Sequence, residues 1–215
     1  MQPNSTLPIT VPERPPVRFL YTRPRDSLGW MRRDVAMRLL PFSLAVAGTW
    51  ALRRPRWLGL SVGERPGMQL TLGVAGGVLS FAAAAAIRLR LSRDRGVAVV
   101  PAGRADAVLQ GAYYLLNAPV EEAFFRGLLQ GGVGARWGGS AGLVAGLVPY
   151  VLYHRLGRWP WPEVLATSLI GVPAAAAYRW LPGRPSLLAI TLAHAGATCG
   201  FLGPGPWVLR KLRLL

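Results

Sequence analysis

Acidic side chains are scarce in this sequence, with nine Asp and Glu among 215 residues. Lysine is scarcer still: Lys211 stands alone, and Cys199 is the single cysteine. One cysteine excludes an intrachain disulfide and any cysteine-built zinc framework, and Cys199 reads as a small apolar packing residue. Charged residues of every kind make up 16% of the chain, against about 25% in soluble domains. No HExxH motif is present, which removes the commonest zinc-protease pattern. Met1 to Arg33 holds no continuous apolar stretch of the kind a secretory signal requires.

What the sequence does hold is apolar. Hydrophobic residues reach 52% and fall in long blocks, the pattern of helices in lipid rather than of an amphipathic soluble core. The net charge of +16 comes almost wholly from arginines placed between the apolar blocks. Basic residues that flank membrane spans produce such a total without a nucleic-acid partner, and no nucleic acid is expected.

The fold expected is all-α: a polytopic membrane bundle of about six transmembrane helices, each near the ~20 residues that a bilayer needs. The spans run from about Val35 to Leu52, Gly67 to Ile87, Ala105 to Val133, Gly139 to His154, Glu163 to Tyr178 and Ser186 to Phe201. The third, which bears the charged motif, is too long for one straight helix, and Asn117-Ala118-Pro119 is expected to break or kink it, because proline removes a helix hydrogen bond. Gly73 with Gly77, and Gly142 with Gly146, have the spacing that lets helices approach closely in lipid. Residues 1–33 read as a flexible cytoplasmic tail rich in proline and arginine, 34–209 as the transmembrane domain, and 210–215 as a basic tail. Arg88 to Arg104 reads as a basic loop. The excess of arginine in the tails, this loop and Arg155 to Arg158 puts both termini in the cytoplasm of a bacterial plasma membrane, with Arg53, Arg54 and Arg56 as an exception.

Ionisable groups inside hydrocarbon are costly, at about 2.5–3.5 kcal/mol each on insertion scales, and tend to be functional. Glu121 and Glu122 are the only adjacent glutamates, and they fall inside an apolar block. Both histidines of the chain, His154 and His194, do the same. Glu122 and Arg126, four apart on one helical face with the acid first, suit an ion pair. That pairing leaves Glu121 free, roughly 100° around the helix. Tyr150 lies one turn before His154, and Thr198 one turn after His194. The bland readings are a charge pair between helices for Glu122 and Arg126, and a back-bond to its own helix for Thr198.

The run Glu121-Glu122-Ala123-Phe124-Phe125-Arg126-Gly127 resembles the EExxxR signature of the CAAX-protease and bacteriocin-processing family of intramembrane endopeptidases. Tyr150 and His154 resemble its second motif, with tyrosine in the place of phenylalanine. His194 resembles the start of its third, with Thr198 where asparagine or aspartate is usual. The resemblance spans about Ala105 to Gly200, with the site helices in about 105–201. It implies a peptide or protein substrate in or at the lipid bilayer, hydrolysed by an activated water. Glu121 and His154 would form the general base, and His194 with Thr198 the oxyanion site; Glu122, Arg126 and Tyr150 would support them. No cofactor is expected: a divalent metal such as zinc is conceivable on two carboxylates and two histidines, but the water mechanism needs none. Two other readings stay open: a non-catalytic relative acting as an immunity, chaperone or scaffold protein, for which Thr198 is the best support, and a small transporter.

Overall fold

The computed structural model describes residues 16–181 and 185–215. Strand β1 (Arg18–Thr22) leads into α1 (Pro24–Asp34). A π-helical turn, Val35–Leu39, joins α1 to α2 (Leu40–Arg53). Pro41 would crowd the carbonyl four residues earlier in a regular helix, and the wider turn just before it accommodates the ring. Helix α3 (Pro66–Arg95) is followed by β2 (Val97–Pro101) and α4 (Arg104–Glu122). A second π-helical stretch, Ala123–Gly131, continues into α5 (Gly132–Trp137). Then come α6 (Gly139–Leu152), a 3-10 turn at Tyr153–Gly157, α7 (Trp161–Ala166), α8 (Ser168–Trp180), α9 (Leu188–Phe201) and α10 (Pro204–Lys211).

Among the described residues the regular elements are helical apart from β1 and β2, which pair in parallel with Arg18 opposite Val97 and Thr22 opposite Pro101. This pair corrects two expectations. The segment taken as a flexible tail is ordered from Arg18 onward, while residues 1–15 lie outside the described residues. Its proline and arginine are helix-start signals: Pro24 occupies the first turn of α1, and the Asp26 carboxylate accepts from the Arg23 N–H at 3.2 Å. The expected loop after Ile87 is two further turns of α3, stopped by Gly96 at φ 64°, and then β2. Two more boundaries move. The helix does not break at Asn117-Ala118-Pro119: α4 runs through Pro119 and gives way to the π-helical stretch only after Glu122. The expected C-terminal tail is reached by α10, with Leu214 O accepting from Arg93 at 2.7 Å and Arg210 5.5 Å from the Tyr21 ring centre.

The expected small-residue pairs are points of backbone contact. A Cβ on Gly73 would lie 2.9 Å from Cα of Ala189, and one on Gly77 3.0 Å from the carbonyl of Leu192. From the other side, Gly196 and Gly200 press on the carbonyls of Gly77 and Phe81. Helices α3 and α9 therefore meet along a glycine seam, which sets the position of His194. Gly146 does the same for α6, where a Cβ would sit 2.8 Å from the carbonyl of Phe125.

The distribution of side chains is that of a protein in lipid. Met37, Leu52 and Leu79 point outward at 83%, 85% and 71% exposure, while Glu121, Glu122, Arg126 and His194 are buried. Two helical units, Pro24–Arg53 and Pro66–Arg95, are long and apolar enough to cross a membrane; 30 residues make about 45 Å, against a hydrocarbon core of about 30 Å. The β1–β2 pair brings the start of α1 to the end of α3. The contacts of Arg210 and Leu214 bring the C-terminus to that same end, and Arg88 bonds Glu163 there at 3.1 Å.

The seam is open to test by thermal melting in detergent. Gly73→Ala should lower the melting temperature, because overpacking costs about 1–3 kcal/mol. Gly48→Ala, where a Cβ meets nothing within 4 Å, should leave it unchanged or raise it through helix propensity, worth up to about 1 kcal/mol. Equal shifts for the two would rule out a tight seam.

Candidate active site

Glu121 and Glu122 end α4, where the helix meets the π-helical stretch. His194 stands in the middle of α9, directly across from them. Its Nδ1 lies 2.7 Å from Glu122 Oε1, and its Nε2 lies 3.6 Å from Glu121 Oε2 and 3.3 Å from the Tyr150 hydroxyl. An ionised carboxylate only accepts, so Nδ1 of His194 is the donor to Glu122.

The Glu122–Arg126 pair expected from spacing is present, with Nε 3.4 Å from Glu122 Oε2. Arg126 does more than neutralise that acid. Its two terminal nitrogens donate to the carbonyls of Gly146 at 2.9 Å and Gly171 at 3.1 Å, and its guanidinium lies 4.6 Å from the Tyr150 ring centre. It ties the π-helical stretch to α6 and α8, and glycine at both contacts keeps those backbones within reach.

Glu121 is not free, which corrects the sequence reading. Arg38, in the π-helical turn between α1 and α2, donates to Glu121 Oε1. The same guanidinium donates to the Tyr153 hydroxyl at 2.9 Å and to Asp34 Oδ1 at 2.8 Å, and Asp34 also accepts from the Tyr113 hydroxyl. Sequence reasoning missed this partner because it searched the spans for acids and histidines and passed over an arginine near the start of the first. The signal was there: an intramembrane cation needs an anion. The other oxygen, Glu121 Oε2, is sealed and has no hydrogen-bond partner among the described residues.

His154 lies in the 3-10 turn after α6, which ends at Leu152, two residues short of the end expected for it. Its Nδ1 sits 2.9 Å from the Tyr150 carbonyl. A carbonyl can only accept, so Nδ1 carries the hydrogen and, in the neutral ring, Nε2 keeps its lone pair. Tyr150 meets both histidines edge-on, at 5.3 Å from His154 and 5.6 Å from His194 between ring centres. Thr198 is half-buried, and its hydroxyl makes no hydrogen bond with the described residues, so the back-bond weighed for it is not formed.

Glu121, His154, His194 and Thr198 line one cavity of about 870 Å³. Its walls are largely apolar and aromatic, with Trp159 and Phe201 among them, and Arg33, Arg88 and Glu163 also line it. Glu122 and Arg126 are not lining residues; they stand behind the wall and hold it. Among the described residues no group of three or more His, Cys, Asp or Glu is arranged to hold a metal ion, and the Arg38 cation occupies a Glu121 oxygen.

A helical chain with lipid-facing apolar surfaces and an interior site of two glutamates and two histidines belongs to the membrane-embedded proteins with a buried polar centre. Residues 104–199 match the family model described as type II CAAX prenyl endopeptidase Rce1-like. The match covers 96 of the 215 residues and makes this segment similar to the CAAX-protease family. No curated protein and no solved structure matches it significantly.

Arg38 and Glu121 should be strongly coupled. Removing one partner of a buried pair costs about 3–5 kcal/mol, because the other charge is left uncompensated. Arg38→Ala should therefore lower the melting temperature in detergent more than the Arg38→Ala/Glu121→Ala double variant does. Additive losses across that double-mutant cycle would rule out the pairing.

Proposed function

We propose that the chain is an intramembrane endopeptidase that hydrolyses a peptide bond with a water activated by Glu121 and His154. The observation that carries this reading is the convergence of Glu121, His154, His194 and Thr198 on one cavity, in a segment similar to this family. Glu121 Oε2 carries no hydrogen bond among the described residues and accepts from water once the wall that seals it opens, and Nε2 of neutral His154 is a second acceptor on the same cavity. A water held by these two loses a proton to one of them as its oxygen bonds to the carbonyl carbon. The carbonyl π pair moves onto oxygen. When the C–N bond breaks, the retained proton goes to the leaving amine. His194, in its doubly protonated form, donates from Nε2 to the developing oxyanion while Glu122 holds Nδ1, and the Thr198 hydroxyl is the second donor. Arg126 positions Glu122, and Tyr150 fixes both rings.

The substrate class follows from the surroundings: a peptide or protein segment in or at the bilayer, entering a largely apolar cavity with charged residues in its lining. Six passages of the membrane agree with the fold if α1–α2, α3, α4–α5, α6, α7–α8 and α9 each make one. An even number is supported by the meeting of β1, β2 and α10 at one end. That end carries Arg18, Arg93, Arg95 and Arg210, which supports a cytoplasmic location for both termini and the bacterial plasma membrane as the site of residence.

One observation favours a non-catalytic relative instead: the Arg38 guanidinium already binds the proposed base. The two readings separate in one experiment. Wild type, Glu121→Gln and His154→Ala are expressed at matched levels, and new peptide termini in the membrane fraction are mapped by mass spectrometry. Termini should appear with the wild type and fall about 10²–10⁴-fold in rate with either variant. Identical terminus profiles from three folded proteins would transfer the weight to the non-catalytic reading.

A further inference from the structure

Asn117 is a buried amide that the mechanism above does not use. It lies in α4 one turn before Glu121, at 5% exposure, in an otherwise apolar stretch of sequence with Leu115, Leu116 and Ala118. Its side-chain oxygen is sealed without a hydrogen-bond partner, and its side chain makes no hydrogen bond with any described residue. A buried polar group left unpaired in this way calls for an explanation, and no contact within the protein supplies a structural one. Asn117 also lines the cavity that holds Glu121, His154, His194 and Thr198.

Two cross-links fix how α4 faces α9. Glu121 Oε2 meets His194 Nε2 at 3.6 Å, and the carbonyl of Gly111 meets Cys199 Sγ at 3.9 Å. Moving back along α4 therefore moves forward along α9, so the two helices run antiparallel. Asn117 on α4 and Thr198 on α9 both lie between these contacts, and both line the cavity. The cavity thus has a carboxylate and imidazole at one level and, about one turn away, an amide from one helix and a hydroxyl from the other. The amide is the longer of the two and carries two N–H donors.

From this juxtaposition we infer that Asn117 is a catalytic residue of the proposed endopeptidase site, its carboxamide donating a hydrogen bond to the oxygen of the scissile carbonyl as that oxygen gains charge. The inference rests on the endopeptidase reading. It assigns the stronger donor to α4 and leaves Thr198 as the lesser partner. Because positions 117 and 198 line the same cavity from neighbouring helices, an amide placed at 198 reaches the same space.

The test compares wild type, Glu121→Gln, Asn117→Leu, Thr198→Asn and the Asn117→Leu/Thr198→Asn double variant in detergent micelles. The substrate is a synthetic peptide spanning a cleavage site mapped with the wild type in membranes. Asn117→Leu should lower kcat by about 10²–10³-fold, the usual loss for one oxyanion donor, with KM within about threefold. It should also raise the melting temperature, because an unpaired amide is replaced by an apolar side chain of similar volume. Thr198→Asn in the Asn117→Leu background should recover at least about tenfold in kcat. A melting temperature lowered by Asn117→Leu would assign Asn117 a structural role and overturn the inference. So would a kcat that Asn117→Leu leaves within threefold while Glu121→Gln is inactive; that result would spare the endopeptidase reading. No wild-type cleavage above Glu121→Gln would overturn both together.

Discussion

Arg126 is wholly buried, and its guanidinium is spread over three elements. One nitrogen approaches Glu122, two bind the carbonyls of Gly146 and Gly171, and the face of the group rests on Tyr150. An arginine is suited to this because its planar fork offers donors in fixed directions and its face stacks on an aromatic ring. The rest of the site is arranged around it. Glu122, held by Arg126, holds His194; Tyr150, under Arg126, bonds His194 through its hydroxyl and His154 through its carbonyl. The orientation of both imidazoles thus traces back to one cation, which itself does not reach the cavity.

The other glutamate answers to a different part of the chain. Arg38 comes from the π-helical turn before α2, outside the segment 104–199 that carries the family's match. It joins Asp34, Tyr153 and Glu121 in a single cluster. The N-terminal helical unit is therefore part of the site, not only an anchor beside it. A carboxylate with one oxygen held by a guanidinium and the other unpartnered is fixed in direction while retaining an acceptor. This is the arrangement that the two readings of function interpret in opposite ways.

Much of this was legible in the sequence. Ionisable residues within apolar blocks marked Glu121, Glu122, His154 and His194, because hydrocarbon makes such groups rare without a role. Small residues four apart marked the α3–α9 seam, where the absent side chain is what permits the contact. Other features were hidden for definite reasons. The capping of α1 by Asp26 uses the same proline- and arginine-rich composition as a disordered tail. The pairing of β1 with β2 is non-local, and a five-residue strand has too little periodicity to stand out beside a helix. Arg38 was passed over because an arginine near a span end ordinarily reads as a topological anchor. The orphaned amide of Asn117 is visible only when every neighbour of its side chain is known.

The β1–β2 pair also bears on how the chain is assembled. The partner of β1 is synthesised only after α1, α2 and α3 have all emerged, and a parallel pair cannot close through a short turn. The first strand therefore stays unpaired while two helical units, each long and apolar enough to cross a membrane, are synthesised. When the sheet closes, it joins the beginning of α1 to the end of α3. The sheet thus ties a small amount of backbone hydrogen bonding to the correct packing of the N-terminal half, and with it to the delivery of Arg38 to Glu121.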